Sequence, residues 1–527
     1  MKRNPYQQQN ISNTTFDLIV VGGGITGAGV LLEASKIGYK TLLIEKGDFA
    51  SGTSSRSAKL AHGGLRYLQY GHFKLVRESL KERDFLLNKY PHLVKPLSFL
   101  YPLYTRKLKI QVFLGLCVYQ LLNFSSNLSG FKFLNKKKTL KKFPVINSYN
   151  LKGSFVYYDA VTNDSRLCNE IIHDAINDYS SLAYNYLELI SFEKLQNNLQ
   201  VKCYDYIENK EIVITSKFLI NASGPWMDEL ANKIFSYSKN TIAPSKGTHI
   251  VLSKKDFPVD SSLLFSAKAN DNRWLYTVPW EFDTVIVGAT DTEYSNGIDK
   301  VDVEIEDDQY ILNAINHIVP SLKISKDDVI SSFAGVRPLL KNDAISSKDR
   351  SREYKIWWLN DRVLNVFGGK LTGFRSMGEK AVKLIAEKEI ISKKSQKKIE
   401  QKKINIKLNE LPDKFILLIK EKYNKESFKI FNICFENPSA IELLHEDFDI
   451  YMAEIIYFAR HQSCYHIDDL LGRRLSLSYI LPKFKDRSEI IRKTAEILSI
   501  ECCWDEQEYC KEQENYINLI NKKNLYL

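Results

Sequence analysis

FDLIVVGGGITG, residues 16–27, is the stretch on which the reading of this chain turns. An apolar run ends in Gly22-x-Gly24-x-x-Gly27, and a second apolar run, YKTLLIE (39–45), closes on an acid, Glu45. Strand, glycine turn and helix start in that order bring bare backbone N–H groups and the positive helix end against a pyrophosphate. Gly22 permits the turn, Gly24 lets backbone approach phosphate without a Cβ, and Gly27 lets helix pack on strand. Glu45 is placed to accept the hydroxyls of an adenosine ribose. Ile25, Thr26 and Lys46 flank these positions and complete the expected contact set for an adenine dinucleotide.

The 527 residues exceed the usual size of one domain, so two or three are expected. Residues 1–15 form a polar stretch unlike a signal peptide, and the longest apolar run, Val112–Phe124, is too short for a bilayer and carries Gln120. A cytoplasmic protein is the expectation. Eight scattered cysteines make no CxxC or Cys/His spacing, which suits a reduced compartment and no metal. The net charge of +11 is uneven: no carboxylate lies between Asp84 and Asp159, where twelve Lys and Arg fall. The middle of that segment, KIQVFLGLCVYQLLNF (109–124), is apolar and bracketed by cations. The pattern suits an anionic membrane surface, each basic residue contributing on the order of 1 kcal/mol. It also suits a buried helix with solvated lysine flanks. No recognition motif accompanies the charge, so nucleic acid is not an expected partner.

Periodicity predicts strand, helix and strand over 16–45, an amphipathic helix at Phe73–Lys89, a helix at Ser165–Tyr179 and a buried strand in FLINASG (218–224). From His249 to Val287 short strands alternate with turns, as in an antiparallel sheet that receives substrate. VLNVFGGKLTGFR (363–375) reads as a strand, a double-glycine turn and the start of a helix running to about Glu389. The expected class is α/β: a Rossmann-like dinucleotide-binding domain, an antiparallel-sheet substrate domain and a C-terminal helical domain. Its expected bounds are a tail (1–15), a core (16–390), a Lys-rich linker (391–404) and a helical domain (405–527). Within the core, about 16–90, 150–245 and 330–390 are assigned to cofactor binding, and about 91–149 and 246–329 to the substrate part.

TSSRSAKLAHGGLRYL (53–68), INASGPW (220–226), KGTHIV (246–251), VPWEFDTVIVGATDTEY (278–294), AGVRPLL (334–340) and FGGKLTGFR (367–375) together resemble FAD-dependent glycerol-3-phosphate dehydrogenases. RHQSCYHIDDLLGRRLSL (460–477) is similar to the C-terminal helical domain of that family. The resemblance implies non-covalent FAD, oxidation of sn-glycerol 3-phosphate to dihydroxyacetone phosphate, and a quinone acceptor at the inner face of the cytoplasmic membrane. A homodimer is compatible with it. It also implies that Arg66, Tyr67, Arg337, Arg352, Lys370 and Thr372 surround the substrate.

The residues themselves favour FAD over a nicotinamide. INASGPW ends in small residues, with Ala222 and Gly224 able to pass beneath a dinucleotide, and Gly369, Lys370, Leu371 and Thr372 offer a second glycine turn to the flavin. A single GxGxxG argues against a reductase with two Rossmann domains. Arginine forks suit phosphate, whereas Lys370 acts as a point charge near the flavin or substrate oxygen. His62, between the Ser-rich loop and a double glycine, is the leading base for the C2 hydroxyl, ahead of His249. With Lys370 and Arg337 it makes up the expected catalytic set. Ser54, Ser55, Lys59 and Leu60 are expected on the FAD phosphates and ribityl chain, with His62 nearby. Gly373, Phe374, Ala289 and Gln462 depart from the family pattern, which predicts loss of one peripheral hydrogen bond and obscures the role of the C-terminal domain. The rival activities are a glycerol-3-phosphate oxidase that uses oxygen, an amino-acid oxidase, and a flavin-binding membrane sensor without turnover.

Overall fold

Thr15–Val21 is buried from Leu18 onward and pairs in parallel on both sides, with Lys210–Asn221 and with Thr41–Ile44. A strand flanked in this way reads as a continuous apolar run because both of its faces are covered. The computed structural model of the chain describes residues 1–3, 11–12, 14–123, 127–235, 241–268, 271–341, 353–389, 398–399 and 408–526. Among them the first sheet runs Tyr354–Trp358, Val363–Gly368, Lys210–Asn221, Thr15–Val21, Thr41–Ile44, Leu182–Tyr184, and only the Tyr354–Trp358 edge of this row is antiparallel. Helices Ile25–Lys36 and Phe374–Glu389 lie against each other so closely that a Cβ on Gly29 would sit 2.4 Å from the Phe374 carbonyl oxygen. Helix Asp164–Tyr179 packs on Ile25–Lys36 from another side.

The second sheet is largely antiparallel and built around Val94–Leu103, Gly153–Thr162, Ile242–Ser253, Ser262–Lys268, Asp271–Trp280, Thr284–Gly288 and Val329–Leu340. Two of these strands correct the sequence-based division. Gly153–Thr162 pairs with Val94–Leu103, and Val329–Leu340 pairs with Ile242–Ser253, so both belong to the substrate-side sheet although 150–245 and 330–390 were assigned to the cofactor side. Apolar alternation marks a strand but not the sheet it joins.

Helices Asp413–Tyr423, Ser427–Glu436, Met452–His461, Arg487–Glu501 and Glu506–Lys522 surround a separate core containing Phe415, Phe431, Tyr457, Leu470 and Leu498. A small hairpin, Leu443–His445 with Phe448–Tyr451, interrupts the helical pattern. Of the expected polar tail, residues 4–10 and 13 lie outside the described residues, and residues 2 and 3 are tied to the fold. Arg3 is buried, donating to Asp205 at 2.7 Å and to the Asn185 carbonyl at 2.9 Å, while the Lys2 amide reaches the Cys502 carbonyl. Most of the expected linker lies outside the described residues; Lys398, within it, pairs with Asp178 at 2.6 Å. All eight cysteines are free thiols. Among the described residues no helix is long and apolar enough to cross a membrane.

Candidate active site

A trough of about 430 Å³ runs along the carboxyl ends of the parallel strands, lined by Gly22, Gly24, Ile25, Thr26, Glu45, Lys46, Ser54, Ala222, Gly224, Gly369, Lys370 and Leu371 among others. This is where an open α/β sheet accepts a ligand. Its floor is backbone. Gly22 has φ +111°, and a Cβ there would lie 2.6 Å from the Ala222 carbonyl oxygen. Helix Ile25–Lys36 starts at Gly24, which has no side chain to cap it, and Gly24, Ile25 and Thr26 put its positive end on the trough. Gly27 lines nothing: its Cβ would fall 1.8 Å from the Gly22 carbonyl oxygen, so its role is the helix–strand contact. The Glu45 carboxylate accepts from the Gly23 amide at 2.7 Å and the Gly47 amide at 2.9 Å. Burial pushes its pKa up, against those two amides. Lys46 pairs with Asp299 at 3.1 Å and lies over the Trp226 ring.

Arg56, Gly369, Lys370 and Leu371 also line a second cavity of about 250 Å³. This chamber collects Leu60, His62, Arg66, Tyr67, His249, Arg273, Tyr276, Asp291, Arg337 and Thr372 from six separate stretches of chain. Five cationic residues (Arg56, Arg66, Arg273, Arg337, Lys370) and one acidic residue, Asp291, stand among the described residues that line it. Arg337 donates to the Thr290 carbonyl at 3.2 Å and stands 3.7 Å from Asp291, which in turn accepts from Ser245. Gly247 makes room for it: a Cβ there would lie 2.1 Å from Arg337 Nη2. Lys370 Nζ sits 3.8 Å from the centre of the Tyr67 ring and 3.3 Å from Ser79 Oγ. The buried Thr372 hydroxyl has no protein partner among the described residues. Such a chamber can hold a dianion and polarise a hydroxyl beside it.

Three histidines, His62, His72 and His249, line this space, and His72 stands 4.0 Å from Glu353. His62 lies 6.2 Å, ring to ring, from Tyr276. His249 is buried, stacked on Phe333 at 4.8 Å, and neither of its ring nitrogens finds a partner among the described residues. Burial, with Arg337 and Lys59 nearby, holds the pKa of His249 well below the usual imidazole range. It is therefore neutral at pH 7.

The structure departs from the sequence reading at several positions. Lys59 lines neither cavity; it is buried, with Nζ 2.7 Å from Asp164 and 2.6 Å from the Ser55 carbonyl oxygen. Ser55 is not among the residues lining the trough; its hydroxyl donates to the Gly52 carbonyl at 3.4 Å, while its neighbour Ser54 accepts from the Ile25 amide at 2.9 Å. In a run of polar residues, the turn at Thr53–Ser55 decides which side chains reach the cavity, and that turn is not visible in composition. Leu60 and His62 line the chamber rather than the trough. Arg352 lies outside the described residues. Arg56, Arg273, Tyr276 and Asp291 went unpredicted as site residues. Arg56 and Asp291 stand inside quoted motifs, so a tally of every charged residue there would have found them; Arg273 and Tyr276 carry no such signal.

The profile of the FAD dependent oxidoreductases matches residues 17–377, and that of the C-terminal domain of alpha-glycerophosphate oxidase matches residues 379–509. Aerobic glycerol-3-phosphate dehydrogenase of Staphylococcus aureus is 35% identical over 384 residues, covering 72% of this chain and 69% of its own. The chain belongs to the FAD-dependent glycerol-3-phosphate dehydrogenase family. The solved structure of glycerol-3-phosphate dehydrogenase from Bacillus halodurans complexed with FAD superposes with a TM-score of 0.77 at 27% identity, over 98% of this chain and 97% of that one. L-alpha-glycerophosphate oxidase from Mycoplasma pneumoniae, with FAD bound, shares the fold at a TM-score of 0.58 and 18% identity, over 74% of this chain and 98% of that one.

The cofactor of this family is FAD, and the trough fits it: a Cβ-free floor at Gly22, a helix start at Gly24, an acid at Glu45 and a glycine turn at Gly369. The departures from the family pattern also find their places. Phe374 is buried against helix Ile25–Lys36, Ala289 lines the chamber, and Gln462 bonds Tyr457 through its side chain while its carbonyl accepts from Arg474.

Proposed function

We propose that the protein oxidises sn-glycerol 3-phosphate to dihydroxyacetone phosphate and passes the electrons to a membrane quinone. The observation that carries the substrate is the cation-rich chamber opening directly onto the FAD trough through Arg56, Gly369 and Lys370. Bound FAD supplies the hydride acceptor there. Arg337, with Arg66 and Arg273, holds the phosphate; Arg352 adds to this set by resemblance. His62 takes the proton of the C2 hydroxyl, and Lys370 stabilises the charge that develops on that oxygen. Tyr67 and Thr372 orient the carbon chain. Anaerobic addition of sn-glycerol 3-phosphate should bleach the bound flavin, whereas glycerol at the same concentration should not. Flavin that stays oxidised would reject the substrate.

A quinone is favoured over oxygen by the surface beside the chamber. Helix Arg106–Leu122 buries Val112, Leu116 and Tyr119 but leaves Ile110 (61%), Phe113 (46%), Leu114 (57%) and Leu121 (73%) exposed, so it is not the buried helix of the alternative reading. Beneath it a cavity of about 300 Å³, lined by Leu65, Leu68, Phe73, Val112 and Val118, shares Arg66, Trp274 and Tyr276 with the chamber. Lysines 136–138 and 141–142 are exposed on the next helix, Lys136–Lys142, and Phe131, just before the strand that leads into it, meets the Phe113 ring at 5.9 Å. An apolar row with a cationic rim is the pattern of a protein seated on anionic lipid. Binding to phosphatidylglycerol vesicles should therefore weaken as salt rises, and reversing the charge of Lys136, Lys137 and Lys138 should release the protein without loss of dye-linked turnover. Rapid stoichiometric peroxide formation in air would favour the oxidase instead.

A further inference from the structure

Residues 48–57 supply one wall of the trough, which Ser51, Gly52, Thr53, Ser54, Arg56 and Ser57 line. Residues more than 400 positions away fasten both ends of this wall. At its start the Asp48 carboxylate is buried and accepts from Arg473 Nε at 2.6 Å, from Arg474 Nη1 at 2.7 Å and from Arg474 Nη2 at 3.0 Å. The Arg474 side chain is fully buried and also donates to the Gln462 carbonyl at 2.9 Å. Asn185 donates to Asp48 at 3.0 Å and to the Ser463 carbonyl at 2.8 Å, which ties the same corner to the C-terminal helices a second time. Towards the other end the Tyr479 hydroxyl donates to the Ser55 carbonyl at 3.2 Å, beside Lys59 on the same oxygen.

A buried ion pair adds little net stability, because removing both charges from water offsets their attraction. A guanidinium fork on two carboxylate oxygens does fix position and orientation together. Between Asp48 and Ser55 the segment is short and includes the left-handed Ala50, whose amide bonds the Gly23 carbonyl at 3.0 Å, so displacement of either end moves the residues that line the trough.

We propose that Arg474 and Tyr479 are positioning residues for the cofactor: the C-terminal helical region holds the 48–57 wall in the conformation that binds FAD. This reading depends only on FAD in the trough and is independent of substrate and acceptor. FAD affinity of the apoprotein, read from quenching of flavin fluorescence, should fall about three- to tenfold in Tyr479→Phe, which removes one hydrogen bond, and tenfold or more in Arg474→Met. Arg474→Lys keeps the charge but not the fork, and should recover only part of the loss. Thermal unfolding of apo and FAD-loaded forms separates positioning from mere stability. A positioning role predicts that the FAD-induced rise in Tm shrinks in each variant. An unchanged FAD affinity, with apo and loaded forms destabilised equally, would overturn the proposal. Should Arg474→Met fail to fold, Tyr479→Phe decides the question by the same two readouts.

Discussion

The FAD trough and the substrate chamber meet at Arg56, Gly369 and Lys370, yet they are made of different material. The floor of the trough is backbone: a glycine turn, a helix start and the carbonyl of Ala222, with the Glu45 carboxylate holding the Gly23 and Gly47 amides. The chamber is side chain: cations and imidazoles delivered from stretches around residues 56–72, 247–249, 273–276, 289–291, 335–339 and 369–372. Backbone sites fail when atoms are added, because no rotamer can move a main-chain oxygen aside. Side-chain sites fail when atoms are removed, and they fail in chemistry before they fail in folding.

The largest effect is expected in the trough. Gly27→Ala forces a Cβ to within 1.8 Å of the Gly22 oxygen, beyond the ~1–3 kcal/mol usual for overpacking. This variant should purify without flavin or not fold, as read from the ratio of flavin to protein absorbance. A fully loaded Gly27→Ala would break the contrast by showing that the turn can yield.

In the chamber, His62→Gln should keep its FAD and lose roughly 10²- to 10⁴-fold in kcat, the usual contribution of a general base. An equal loss in His249→Gln with little loss in His62→Gln would transfer the role to the buried imidazole. Arg337→Ala should lower kcat/KM for sn-glycerol 3-phosphate about ten- to a hundredfold, from one charge-assisted contact worth roughly 1.5–3 kcal/mol. Any slow turnover of glycerol should be spared. Gly247→Ala, which displaces the same guanidinium without removing it, should reproduce part of that loss.

The smallest effect concerns the stability of the chamber wall. His249 has a folded pKa well below its unfolded value near 6.5, so the native state refuses a proton that the unfolded chain binds. Its contribution is fully present above pH 6.5 and is lost as pH falls, by about 1 kcal/mol between pH 7 and 5.5. Urea unfolding of the apoprotein should show that fraction of acid sensitivity disappearing in His249→Gln. An unaltered pH slope would mean that His249 charges freely inside the fold.

The trough was legible in the chain because its determinants are local. Three glycines and an acid within 24 residues, framed by two apolar runs, specify strand, turn and helix through short-range sterics alone. Periodicity likewise gave the helix at Phe73–Lys89 with both of its ends. What the chain by itself left open was assignment across distance. The polar run 53–59 named the right neighbourhood but not which residues face the cavity, and folding sent Lys59 to Asp164 and left Ser55 lining neither cavity while bringing Arg56 to both. Strands Gly153–Thr162 and Val329–Leu340 were visible as strands, but only pairing with Val94–Leu103 and Ile242–Ser253 placed them on the substrate side. Arg273 and Tyr276 stand on opposite faces of one ordinary strand, Asp271–Trp280, yet both line the chamber, Tyr276 beside His62 and Arg273 over the Tyr310 ring. The same holds for Arg474 and Asp48, a buried ion pair between positions more than 400 residues apart. Local sterics act between neighbours in the chain and can be read from it, whereas a charge's partner depends on which surfaces the packed core brings together.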